Sequence, residues 1–344
     1  VLFETAPFFD HFFLNPCKEK KMRTFFQRNA YLLVLFVPTA IYVLSYSLFE
    51  INAQSSLDIK QHIIDTIKKH QESPVSEILE FQLRILWIGS GLLLIVTYIS
   101  ALAWCATIIS RCYSGIHIAK LAIVGLPILA LALIQICYVN PQSAMYNNIF
   151  DTTYQSLAAS SLNHEEDIKK VYNIILFINI LADIAPVFIM FAICSSISWP
   201  IGQGTQKLEF YIKRMEYLKQ GIMIGSAVLL SGIIHMFAWM QLPIAMVGEG
   251  ERALKNRILD LASSTCQYWG VVATLSLLFL YASAAIYWQA RTQEALTEMQ
   301  PDFDIPQWME ENGIAFSWKK DALHVGGMLA PTIISALSHV LSAD

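Results

Sequence analysis

Charge is what this sequence has least of. Only 15% of its 344 residues are Asp, Glu, Lys or Arg, against about 25% in a soluble domain. A surface built from such a chain fits lipid better than water. The net charge of -4 argues against a nucleic-acid partner, which requires a basic face. Cysteine is sparse too. Cys17, Cys105, Cys112, Cys137, Cys194 and Cys266 include no CxxC pair, which removes the usual zinc and redox motifs. Most of them lie in apolar runs, where cysteine serves as a small hydrophobe.

Catalytic patterns are also lacking. His164-Glu165-Glu166-Asp167 begins like HExxH, but Ile168 stands where the second zinc ligand belongs. Gly202-Gln203-Gly204-Thr205 lacks the GxxxxGK[ST] spacing of a phosphate loop. Only His235 lies well inside an apolar run, with His117 at an edge, so paired axial ligands for haem are missing. No enzyme activity, metal or cofactor is expected.

Long hydrophobic runs are what the chain does have. Runs near 20 residues read as membrane-crossing helices, because lipid offers no partner to an unpaired backbone group. Six are expected: Tyr31–Phe49, Leu83–Ile109, Leu121–Val139, Val171–Ile197, Gly221–Met240 and Tyr268–Tyr287. The expected fold is therefore all-α and polytopic. Residues 1–30 form an interfacial N-terminal segment and residues 31–289 the transmembrane domain. Residues 290–344 form a tail ending in an amphipathic helix. Loops 50–82, 140–170 and 241–267 carry helical patterns and are expected to make a small extramembrane cap. Lys18, Lys20, Lys21, Arg23 and Arg28 precede the first run. The positive-inside rule then places both termini in the cytoplasm, and the bacterial inner membrane is the expected location.

Within these runs a few residues stand out. Asp183 is a lone carboxylate near the middle of its run, with Asn179 one turn before it and Pro186 shortly after. An ionisable group at that depth is costly and points to function. Asp183, His235 and Asn179 are accordingly candidates for a proton or ion pathway. A carboxyl satisfied by Asn179 or by Ser and Thr hydroxyls is the structural alternative. Gly221, Gly225 and Gly232 make a GxxxG-type surface that lets helix backbones approach closely. Leu208, Tyr211, Ile212, Met215 and Leu218 recur at helical spacing. Ile333, Ile334 and Leu337 share a face near the C-terminus. Both stripes are candidate partner surfaces, and the alternative cover for the first is this chain's own C-terminal tail.

These features lead to two functional expectations. The first is a non-enzymatic subunit of a membrane assembly, a pore-lining or channel-forming role included. It would meet lipid and further membrane chains, either copies of itself or different proteins. The alternative is a proton- or cation-coupled transporter that uses Asp183.

Overall fold

The computed structural model describes residues 36–53, 56–69, 74–112, 119, 122–123, 125–130, 134, 143–160, 165–196, 208–248, 250–299, 304–315 and 324–334. All regular structure among them is helical. In chain order the helices are α1 (Phe36–Asn52), α2 (Ser56–Lys69) and α3 (Pro74–Cys112), then a π-helical turn (Tyr146–Asp151). They continue with α4 (Thr152–Ala159), α5 (Glu165–Ser196), α6 (Leu208–Met240), α7 (Pro243–Met246), α8 (Arg252–Met299), α9 (Ile305–Glu311) and α10 (His324–Ile334).

Helices α3, α5, α6 and α8 are long and apolar enough to cross a membrane. The sequence led us to expect six such elements. Helix α1 is described from Phe36 and has 17 residues. The predicted run Leu121–Val139 falls largely outside the described residues.

The long helices extend well past the apolar runs that announced them. Helix α6 begins at Leu208 and continues unbroken through Gly221, so the amphipathic stripe and the apolar run form one rod. Helix α8 likewise joins the charged stretch after Glu251 to its apolar run. Its 48 residues span about 72 Å at 1.5 Å per residue. Nothing in these junctions breaks a helix: no proline intervenes, and one interior glycine costs only about 1 kcal/mol.

Helix α6 packs against α3, α5 and α8, α3 also packs against α5, and α1 lies on α8. Glycines seat α6 among its neighbours. A Cβ on Gly221 would lie 2.7 Å from Ile193 and 3.1 Å from Trp104. One on Gly225 would lie 3.1 Å from Leu277, and one on Gly232 3.1 Å from the Tyr98 hydroxyl. The GxxxG surface therefore serves packing within this chain.

Two large apolar clusters divide the described residues along their length, and Ile233, Cys266 and Ala273 form a small third. One groups Ile63, Trp87, Leu157, Trp239, Leu242 and Ile258 beneath a cap formed by α2, the π-turn, α4 and α7. The other runs from mid-helix to the far end and includes Tyr211, Met215, Leu218, Trp288, Leu296 and Met309. At that far end the Arg214 guanidinium donates to the Ser195 carbonyl at 3.0 Å. A cation there satisfies a C-terminal carbonyl of α5 and suits the negative end of the helix.

Candidate functional site

The sequence placed His235 deep in its run, and the structure gives it a built environment. Helix α3 contributes Trp87, Ser90 and Gly91, and α6 contributes His235 and, one turn on, Trp239. The Ser90 hydroxyl donates to the Trp87 carbonyl at 2.8 Å. The same hydroxyl lies 3.1 Å from His235 Nδ1, and which group donates depends on the imidazole tautomer. A Cβ on Gly91 would sit 3.2 Å from His235 Cε1, so glycine is what admits the ring here.

Above His235 the aromatic rings follow one another into the cap. Centroid separations are 6.1 Å for His235–Trp87, 5.4 Å for Trp87–Trp239, 6.2 Å for Trp239–Phe150 and 5.3 Å for Phe150–Tyr146. The indole N–H groups of Trp87 and Trp239 are buried without a hydrogen-bond acceptor among the described residues. Trp87 also lines a cavity of about 20 Å³ with Glu80, Arg84, Asp167, Val171 and Leu242, room for about one water molecule. Arg84 Nε donates to Glu80 across that wall at 2.8 Å.

The cap is fastened by two long-range polar contacts. Glu50, at the end of α1, accepts from the Ser143 hydroxyl at 2.6 Å and from the backbone N–H groups of Ala144 and Met145 at 2.8 and 3.0 Å. It thus caps the start of the helix that enters the π-turn, where unpaired N–H groups collect. Lys60 of α2 donates to Asn147 Oδ1 and Asp151 Oδ2 at 2.9 and 2.8 Å. Burial, followed by the Asp151 carboxylate, pushes the Tyr146 phenol up to about 12.

Burial works to raise the Glu50 carboxyl, but the bonds from Ser143, Met145, Ala144 and Tyr46 outweigh it and hold the group below its ordinary 4.5. A depressed carboxyl stabilises the fold above the unfolded pKa, and the contribution is lost as pH falls through the folded value. Glu50→Gln should cost about 1 kcal/mol at neutral pH, the loss of a cap. Its deficit in melting temperature against wild type should hold steady above pH 5 and shrink below 4.5. A deficit that stays constant to pH 3 would remove the charge-based account of this cap.

Asp183 lies in α5, and the helix continues through Pro186. Proline has no N–H, so the Ala182 carbonyl beside Asp183 loses its helical partner. The side chain of Asp183 is outside the described residues, and Asn179, one turn earlier, is exposed. A Cβ on Gly91 would lie 3.7 Å from Ile178 as well as beside His235, so His235 stands level with Ile178. Asp183 is then about 7.5 Å further along α5 toward the far end by helical rise. The two ionisable candidates occupy different levels.

The first candidate stripe turns inward. Tyr211 and Met215 are buried, and Ile212 is half-buried. Leu208 opens α6, but its side chain is outside the described residues. Trp288 lies tilted against Tyr211, ring centroids 5.7 Å apart, and donates to the Tyr211 carbonyl at 3.2 Å. Of the terminal face, Ile333 is exposed, Ile334 is half-buried and Leu337 lies outside the described residues.

Sequence reading missed Ser90, Trp87, Trp239, Glu50 and Lys60. The only local signal was Glu50, the first charge after an apolar run. Among the described residues no three His, Cys, Asp or Glu side chains are placed to hold a metal ion. No protein-family model matches the chain, and no curated protein or solved structure matches it.

Proposed function

We propose that this chain is a non-catalytic, integral membrane subunit of a larger assembly. The observation that carries the reading is the length of its helices. A bilayer with its headgroups is about 40–45 Å thick, whereas α3, with 39 residues, measures about 58 Å by helical rise, and α8 exceeds that. Both project beyond the lipid, and their projections are tied into a rigid cap. Their outward faces are apolar where they would meet lipid: Ile85, Leu92, Val96 and Ile99 on α3, and Leu275, Phe279 and Ile286 on α8 are all exposed.

In the full proposal α1 and the run Leu121–Val139 supply two more crossings, for six. The basic cluster ahead of Tyr31 holds the N-terminal side in the cytoplasm of a bacterial inner membrane, and the cap faces outward. Pore lining is the form of membership that such a bundle serves most directly. Purified gently with native lipid, the chain should run in a complex heavier than its own 38.8 kDa plus bound lipid. Native mass measurement decides this. A lone chain at wild-type abundance would overturn the assembly reading.

One observation favours a second reading, a proton- or cation-coupled transporter. It is the lone carboxylate Asp183 beside the Ala182 carbonyl that Pro186 leaves unpaired. Asp183→Asn separates the two. The amide keeps the shape but cannot exchange a proton. A transporter should lose at least tenfold in flux while folding normally, and a subunit should assemble and function as before.

A further inference from the structure

We infer that a lipid bilayer encircles the bundle in one fixed register, its hydrocarbon reaching from the level of Arg84, Lys170 and Asp260 on the cap side to that of Lys219 on the far side. The inference rests on the reading of α3, α5, α6 and α8 as membrane-crossing helices. It names the surface that lipid occupies and the residues that stand at headgroup depth.

Glycine contacts set the four helices against one another. A Cβ on Gly91 of α3 would meet both His235 of α6 and Ile178 of α5. One on Gly221 would meet Ile193 and Trp104, and one on Gly225 would meet Leu277 of α8 and Ile189. With these residues level, heights follow from helical rise. Measured from His235 toward the cap, Arg84, Lys170 and Asp260 stand at about 10, 12 and 10 Å. Charges on three helices thus reach one height, although no local spacing requires it. In the other direction Lys219, Arg111 and Arg291 stand at about 24, 32 and 36 Å. Between the two sets the four helices carry no Asp, Glu, Lys or Arg except Asp183. The band from Arg84 to Lys219 is about 34 Å tall by helical rise, against a hydrocarbon core of about 30 Å. The surplus is within reach of lysine and arginine, whose stems lie along lipid while their charges meet the headgroups.

Exposure follows the same limits. Ile85, Leu92, Val96 and Ile99 on α3, Phe177 on α5 and Leu275 on α8 are large, apolar and exposed, and all lie between the two sets of charges. Apolar side chains that face outward through one band, on three helices, suit a continuous apolar solvent better than a local docking patch. Ile78, Phe81 and Ile286 are exposed beyond its edges. They overshoot by about 9, 5 and 5 Å by helical rise, close to the depth of the headgroup layer. Tyr172, 42% exposed, stands about 9 Å above His235 by the same measure. That is the cap edge, where tyrosine anchors at the headgroups. The register also sets Asp183 close to the mid-plane of the band.

The test attaches single nitroxide labels to introduced cysteines in the full chain, reconstituted in dioleoylphosphatidylcholine vesicles. It compares collision with oxygen, which concentrates in hydrocarbon, and with a nickel chelate, which stays in water. The unmodified chain gives the background. Val96→Cys reads the centre, Phe81→Cys the cap side and Ser110→Cys the far side, with Leu92→Cys and Ile99→Cys repeating the central reading. We expect the oxygen-to-nickel ratio to peak at Val96→Cys, several-fold above Phe81→Cys and Ser110→Cys. Leu275→Cys on α8 should match Ile99→Cys, which stands at the same height. A peak displaced by two helical turns toward Ile85 or toward Ser110 would show the register to be wrong while the membrane reading stands. Free collision with nickel at every position would remove the membrane reading itself. Exclusion of both reagents at Val96→Cys and Ile99→Cys would show protein covering this face and overturn the lipid surface.

Discussion

Aspartates placed together at Tyr211 and Met215 should prevent the far end of the molecule from folding. Tyr211 is 1% exposed and Met215 2%, and both pack with Leu218 and Trp288, neither of which has measurable exposure. Truncating a buried aromatic costs about 3–5 kcal/mol and a buried methionine about 2–5. Each aspartate adds a buried carboxyl at several kcal/mol unless it takes up a proton. The combined penalty approaches the whole stability of a typical protein, about 5–15 kcal/mol. The expected result is loss of the monodisperse species in detergent and rapid proteolysis between α6 and α8. Tyr211→Phe is the control. It keeps the ring, and the Trp288 bond goes to the backbone carbonyl, so it should cost under about 1 kcal/mol. A double aspartate variant that elutes and melts like wild type would show that this cluster contributes little.

Gly221→Leu should be strongly damaging to the bundle. Even the first added carbon would come within 2.7 Å of Ile193 and 3.1 Å of Trp104, and Leu brings three more. Helices α3, α5 and α6 meet at this point, so relief for one contact tightens another. Overpacking costs about 1–3 kcal/mol and occasionally more. The loss is felt fully here because helix association in lipid depends on close packing rather than on expulsion of water. Gly89 offers the comparison, since nothing lies within 4 Å of a Cβ built there. Gly89→Ala should be neutral. Melting in detergent, read by tryptophan fluorescence, should separate the two variants by at least about 10 °C. Equal melting temperatures would mean that the approach at Gly221 is not what holds the helices together.

The elements readable from sequence were those whose signal is local. Apolar runs at Leu83–Ile109, Gly221–Met240 and Tyr268–Tyr287 announced α3, α6 and α8, and the spacing of Tyr211, Met215 and Leu218 gave one helix face correctly. The partner of that face was not readable, because periodicity says which side is apolar and nothing about what covers it. The cover proved to be Trp288, 77 residues away. The same limit hid the Glu50 cap and the Ser90–His235 pair, whose members lie 93 and 145 residues apart. The terminal face offered only its periodicity, and Leu337 lies outside the described residues. The π-turn left no sequence signature at all.

The cap contacts of α1 have a consequence for synthesis. Of the described helices α1 is made first, yet Glu50 waits for Ser143, 93 residues later. Ser45, whose carbonyl accepts from the Tyr268 hydroxyl at 2.6 Å, waits 223 residues. At about 5–20 residues per second, the first interval lasts roughly 5–20 s and the second roughly 10–45 s. Until Ser143 is made, neither contact can form. A chain halted before Ser143 would lack both contacts, and one halted between Met145 and Tyr268 could hold α1 through Glu50 alone.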